Sequence, residues 1–398
     1  CDYCGRRRRG LSIQDLARLI FDPLREAYGF GGEAVAFAPD SDKVWYEQKG
    51  ETLTDILQME LEIEPEPAEA LAAALADADP ADPSDGEEPF IDDSQLYERV
   101  EISGWEYADL WWEFSQRIKH RRRFFDDGAV GDLERLLGAP GSSQANDLPA
   151  VVIGPETPYQ RVFRARRAKG ADHARSVLDA PERELFAPPP GSAVSGRMNP
   201  TGISVFYGAL SEKVAVAEVR PAVGGIVLVG TFSLTRQVRL LDLTKLGHTV
   251  AGTIFAPGYV DRVSRLQFLR SFHRLIAQPV QPHDESLEYV PTQAVAEYVC
   301  RVLKFDGILY ASAQTGSVEL LEEDELLSED DDISGNNVVL LAEALQRDDQ
   351  GRLRVVLPVA YDAGSARGVW ITSVAYTHTS IDLSDERGDP LGWYRNEL

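Results

Sequence analysis

Residues Gly196–Pro221 read GRMNPTGISVFYGALSEKVAVAEVRP, and this stretch decides the fold of the second half of the chain. Arg197 sits in a loop flanked by glycine and proline. Ser204-Val205-Phe206-Tyr207 is a β-prone run closed by Gly208, as expected of a short buried strand. Ser211 is placed to cap a following helix by accepting from its free N–H groups, and Glu212 suits the positive end of that helix. In Val214-Ala215-Val216-Ala217-Glu218-Val219, Glu218 is the only ionisable side chain of an apolar run. A carboxylate there needs a partner or a chemical task. The plain alternative is a structural ion pair with Arg197 or Arg220. A basic group, a phenol and a carboxylate from three consecutive elements suit an anionic, aromatic ligand in which a breaking bond leaves positive charge.

A second constellation lies further along. Phe305-Asp306-Gly307-Ile308-Leu309-Tyr310-Ala311-Ser312 is an apolar strand ending in serine, and Gly335-Asn336-Asn337-Val338-Val339-Leu340 is a strand with a polar start. Ser312 lacks a G-x-S-x-G context, which excludes a hydrolase nucleophile elbow. Further strands are expected at 161–165, 225–232, 238–243, 353–359 and 369–377, and helices at 260–277 and 292–303. Strands and helices do not alternate regularly, so the class is α+β. No internal repeat, G-x-G-x-x-G, P-loop or H-E-x-x-H is present.

Upstream, the pattern is mainly helical. Helices are expected over 12–28, 52–60 and 105–125, with Trp111, Trp112 and Phe114 in a core. Residues 62–89, rich in proline, alanine and acid, read as an exposed and partly disordered excursion. The Ala139–Pro149 segment is the best linker, giving a helical domain at 1–138 and a mixed-sheet domain at 150–398. Cys1-Asp-Tyr-Cys4 supplies two of the four ligands of a structural zinc, an incomplete site, and two free thiols are the simpler reading.

The net charge of −25 is concentrated. Residues 60–98 hold fourteen acids and residues 319–332 hold nine, with no Lys or Arg in either; the other 42 acids nearly balance 40 basic residues. Duplex nucleic acid is therefore not an expected partner. The basic run Arg117–Arg123 could steer RNA, although a solvated helix face is the commoner origin of such a run. No apolar stretch approaches the ~20 residues that span a bilayer, and three cysteines in 398 residues fit a reducing cytoplasm.

NAD+ matches the ligand chemistry above, with its pyrophosphate, nicotinamide ring and ribosyl bond. The same pieces, together with Tyr289–Val299 (YVPTQAVAEYV), resemble the RES family over roughly residues 155–345. The name refers to an arginine, a glutamate and a serine. The chain departs from the family pattern at Met198, at Ala313 and in the acidic stretch between Ser312 and Asn337. CDYCG and the helix after it look like the HEPN-type domain attached to some RES proteins, but the Arg-polar-x₃-His ribonuclease motif is missing, since Arg117 and His120 have the wrong spacing.

The resemblance implies an ADP-ribosyltransferase-like fold and a bacterial toxin that consumes NAD+ by hydrolysis or phosphorolysis. It implies Arg197, Tyr207, Glu218, Ser312 and Asn337 as the site. Glu218 would face the ribosyl cation and Arg197 the pyrophosphate. Tyr207 would line the nicotinamide pocket, and Ser312 and Asn337 would fix ribose or carboxamide. An antitoxin or other regulatory partner and a homo-oligomer are compatible with it. ADP-ribosyl transfer to a macromolecule and a non-catalytic interaction protein remain as alternatives. The acids of 319–332 are expected to form a flap beside the site.

Overall fold

The computed structural model describes residues 10–37, 44–81, 86–248, 251–277, 284–312, 332–342, 344–348 and 351–375. Cys1, Cys4 and all of the acidic flap except Asp332 lie outside them. The chain divides into two compact units, residues 1–104 with 250–267, and residues 105–249 with 268–398.

The first unit contains α1 (Ile13–Ala27), β1 (Tyr28–Phe30), β2 (Glu33–Phe37), β3 (Val44–Gln48), α2 (Leu53–Leu61), α3 (Pro65–Ala78) and β4 (Tyr97–Arg99). Ser12 and Thr52 cap α1 and α2 by accepting from the amides of Asp15 and Asp55. α1 buries Ala17, Ile20, Phe21, Leu24 and Ala27, a stripe at helical spacing. Helix α3 corrects the expectation of an exposed excursion. Pro65 opens it at a position where the missing N–H costs nothing, and Ala68, Leu71, Ala74 and Leu75 bury one face against α1. The acids that suggested disorder occupy the other face, so composition concealed a period of 3.6.

The second unit starts with α4 (Trp105–His120), α5 (Asp127–Leu137) and α6 (Ser143–Asn146), followed by β5 (Ala150–Ile153), β6 (Arg161–Arg167), α7 (Ala171–Asp179), α8 (Pro181–Glu184), β7 (Val205–Ala209), α9 (Glu212–Glu218), β8 (Ile226–Leu234) and β9 (Val238–Asp242). Helix α10 (Tyr259–Ala277) contributes its second half. Then come α11 (Glu285–Glu288), α12 (Val290–Glu297) with a π-helical turn at Tyr298–Val302, β10 (Gly307–Ala311), β11 (Asn336–Leu341), β12 (Ala344–Arg347), β13 (Leu353–Val356), β14 (Val359–Tyr361) and β15 (Arg367–Trp370). The unit boundary precedes α4, not the 139–149 linker. α4 buries Tyr107, Leu110, Phe114 and Ile118 in the same core as the sheet and packs on α5 and α12. Trp111 meets Phe114 and Phe272, but Trp112 is half exposed, one position off the buried stripe and not a core residue.

The main sheet has the order β14-β8-β6-β7-β11-β10-β9-β5, with β15 also on β8. It is mixed, since β10 runs parallel to β9 and antiparallel to β11. β10 and β11 approach so closely that a Cβ on Gly307 would stand 2.0 Å from the Val339 carbonyl oxygen, so only glycine fits there. One sheet face carries Val205, Leu241, Ile308 and Val339 into a core with α4, α5 and the second half of α10. The opposite face carries Phe206, Phe232, Leu240, Leu309, Val338 and Leu340. The expected strand at 353–359 is split in two, because Pro358 lies between β13 and β14 and has no N–H to give a ladder. Among the described residues no helix is long and apolar enough to cross a membrane.

Candidate functional site

Glu218 is the last residue of α9, which is anchored by buried Val214 and Ala215. Ser211 occupies the N-cap, but its side chain makes no cap hydrogen bond; its carbonyl opens the helix instead by accepting from the Ala215 amide at 3.1 Å. Two side chains meet the Glu218 carboxylate. Ser312 Oγ donates to Oε1 at 2.6 Å, and Asn337 Nδ2 donates to the same oxygen at 2.8 Å. Sheet register accounts for this convergence. Ala311 pairs with Asn336 and Tyr310 with Asn337, so the residue after β10 and the start of β11 lie side by side. Ser312 and Asn337 are both buried, and Glu218 is half-buried. The bonds holding Glu218 thus come from a hydroxyl and a side-chain amide, not from the cationic partner expected in the ion-pair alternative. Neutral donors orient a carboxylate without cancelling its charge.

Arg197 lies in a tight loop in which Gly196 and Asn199 form an isolated β-bridge. A Cβ on Gly196 would stand 2.7 Å from both the Tyr207 hydroxyl and Asn199 Oδ1, so this glycine permits the loop to close on Tyr207. The Tyr207 hydroxyl accepts from the Met198 amide at 2.9 Å and donates to Asn199 Oδ1 at 2.8 Å. Asn199 Nδ2 in turn donates to the carbonyls of Val194, Pro200 and Ile203. From the opposite side, Gln293 Nε2 of α12 donates to Ser195 Oγ, the Gly196 carbonyl and the Asn199 carbonyl, at 3.1, 2.8 and 3.0 Å. Thr292 Oγ1 donates to the Arg197 carbonyl at 2.5 Å. Met198 is a core residue, 2% exposed. The Arg197 guanidinium lies 5.0 Å from the Tyr289 ring centroid and donates to the Ile276 carbonyl.

These groups share one electrostatic neighbourhood. Burial pushes the Tyr310 phenol well above its ordinary value, and Glu218 and Tyr207 reinforce that shift while Arg197 opposes it. Burial likewise raises Tyr207, against the Met198 hydrogen bond and the charges of Arg197 and Arg164. Both phenols are therefore neutral at any physiological pH and can act only as dipoles and walls. Arg164 of β6 donates to the Tyr207 carbonyl at 3.1 Å and lies 5.0 Å from the Phe206 ring. Desolvation lowers it to about 10, with Arg166 adding to the shift and Tyr207 opposing it.

The structure thus brings Glu218, Ser312 and Asn337 into direct contact and sets Arg197 and Tyr207 in the adjoining loop and strand. Sequence reasoning missed Asn199, Thr292, Gln293, Tyr310 and Arg164 as contributors. The first four stand inside the quoted motifs, and for Thr292, Gln293 and Tyr310 polarity within an apolar run was the available signal. Arg164 had no such signal in the basic run of β6. The Arg117–Arg123 cluster is partly spent in ion pairs, Arg117 with Asp132 at 2.8 Å and Lys119 with Glu288 at 2.6 Å. Among the described residues no group of three or more His, Cys, Asp or Glu could hold a metal, so nothing there supports zinc.

Residues 161–350 match the family model of the RES domain, and residues 1–129 match HEPN/RES N-terminal domain 1. No curated protein and no solved structure matches the chain.

Proposed function

We propose, for a chain whose residues 161–350 belong to the RES-domain family behind a HEPN/RES N-terminal domain, that it consumes NAD+ by cleaving the nicotinamide–ribose bond. The family supports an NAD+-related, toxin-like function in general. The specific reaction rests on one observation, the half-buried Glu218 carboxylate oriented by Ser312 and Asn337 beside an arginine-bearing loop.

When the bond breaks, its electron pair goes to the pyridinium nitrogen, nicotinamide leaves neutral, and the ribosyl carbon becomes oxocarbenium-like, as in glycoside cleavage. Glu218 stabilises that cation more than it stabilises bound substrate, which is the condition for catalysis. Both hydrogen bonds to Glu218 end on Oε1, which directs Oε2 to the ribose. Arg197, fixed through its loop by Thr292 and Gln293, receives the pyrophosphate with charge-assisted bonds. Tyr289 and Tyr310 wall the pocket as neutral rings. Water or inorganic phosphate then attacks the ribosyl carbon, and the proton that the attacking group loses passes to solvent or to Glu218.

Mass spectrometry of purified protein incubated with NAD+, with and without phosphate, tests this reading. Nicotinamide with ADP-ribose or its phosphate is expected. A modified macromolecule would instead establish ADP-ribosyl transfer. Unchanged NAD+ in every buffer would leave a non-catalytic interaction protein. In cells, toxicity relieved by a regulatory partner is the matching expectation.

A further inference from the structure

A cavity of about 190 Å³ opens at the other end of β10 and β11 from Ser312 and Asn337. Phe305 and Asp306 precede β10, and Leu341 and Ala342 end and follow β11. Five strand residues, about 17 Å, separate the two ends. The cavity is lined by Arg236, Cys300, Arg301, Lys304, Phe305 and Asp306, against an apolar wall that includes Leu341 and Pro358.

Its charge is positive for a structural reason. Asp306, the only acid of the lining, has both oxygens engaged: Arg236 donates to Oδ1 at 2.7 Å and the Arg239 amide donates to Oδ2 at 2.7 Å. Arg301 and Lys304 are left to set the potential. Arg301 is held in place by donating to the Ala342 carbonyl at 3.1 Å. Lys304 is exposed and adopts a left-handed backbone at φ 62, where glycine or asparagine is the usual residue after a helix. The helix entering this corner is itself irregular, since Tyr298–Val302 form a π turn, a geometry concentrated at functional sites. An outlying lysine, a π turn and a basic cavity thus coincide. Cys300 is not the reactive group there, because burial pushes its thiol up to about 12.

We infer that this cavity is a binding site for a phosphate oxyanion, with Arg301 and Lys304 as its cationic contacts and the apolar wall accommodating the organic part of a monoester. The volume suits one phosphate group with a small substituent. The inference is independent of the reaction proposed above.

Hydrogen-exchange mass spectrometry of the full chain tests it, with inorganic phosphate in one arm and phenyl phosphate in the other, at matched ionic strength. Slower exchange in residues 299–306 is expected in at least one arm, and protection by phenyl phosphate at lower concentration would mark a monoester as the preferred ligand. Equal protection by both would mark free phosphate. The Arg301→Ala/Lys304→Ala double variant should bind at least about tenfold more weakly in calorimetric titration. No protection of 299–306 by either anion overturns the site, as does protection confined to the Arg197 loop. Undiminished binding by the folded double variant overturns it as well.

Discussion

The two faces of the central sheet are made by the same strands, alternate residues facing opposite ways, yet they have different tasks. On one face Phe206, Phe232, Leu309, Val338 and Leu340 interlock as an apolar layer. The other carries Ile308 and Val339 into its core but presents Tyr207, Tyr310 and Asn337 toward the Glu218 end. Because side chains alternate with a period of two, a slip of one residue in β11 would exchange its faces, burying Asn337 in the apolar layer and separating it from Glu218. The apolar face therefore protects the register on which the polar face depends. Its contribution should appear as stability, and that of the polar face as activity.

The largest expected effect tests the apolar face. Phe206 is fully buried, 5.0 Å from the Phe232 ring centroid. Phe206→Ala should lower the unfolding free energy by about 3–5 kcal/mol, the usual cost of a large-to-small core change, measured by urea denaturation. A loss under about 1 kcal/mol, the size of a surface contact, would mean that this face does not carry the fold.

On the polar face the expected result is the reverse. Glu218→Gln keeps the shape and the hydrogen-bond acceptor but deletes the charge. Turnover of NAD+ should fall at least ~100-fold, about 2.7 kcal/mol in the barrier, with the urea midpoint nearly unchanged. Near-wild-type kinetics in a folded variant would remove Glu218 from the mechanism.

Gln293 sharpens the comparison, since it is buried yet serves the Arg197 loop. Gln293→Met takes the side-chain donor from the Gly196 and Asn199 carbonyls and leaves them only the bridge bonds between these two residues, so the loop should loosen. KM for NAD+ should rise about tenfold, consistent with one or two lost hydrogen bonds of ~1 kcal/mol each, with kcat little changed. A drop in thermal midpoint with KM intact would make Gln293 a structural residue only.

The smallest effect concerns Cys300. With its thiol raised to about 12 by burial, native Cys300 should resist iodoacetamide at pH 8, while the unfolded chain reacts readily; peptide mass spectrometry reads the difference. Ionising this thiol opposes folding. Its contribution to stability is therefore complete below the ordinary thiol value, about 8.5, and is lost as pH rises from there through about 12. Rapid labelling of native Cys300 at pH 8 would contradict the raised thiol value.

Much of this was legible in the residues. Expected strands at 161–165, 204–207, 225–232, 238–243, 307–311 and 337–341 correspond to β6–β11 within one or two residues, because short β-prone runs bounded by turn residues are written locally. What misled was composition. The acid-rich, alanine-rich stretch after Glu62 read as an exposed and partly disordered excursion, but its apolar residues fall on one helical face. Trp112 looked like core by residue type, yet its position on α4 puts it half in solvent. The short strands β1–β4 and β12 carried too few alternating residues to stand out from their loops.

By itself the sequence determined the α+β class, the order of the main strands, the helix that ends on Glu218 and the motif set shared with the RES family. It also concentrated the net charge in two stretches. Only the tertiary structure decided which polar groups meet. Ser312 and Glu218 are 94 residues apart, Asn337 and Glu218 are 119, and Arg197 and Ile276 are 79. Periodicity fixes which face a side chain takes within its own strand, but contact between strands is set by register. Register is chosen by the packing of the whole sheet, and for that reason the set of bonds that holds Glu218 could not be read along the chain.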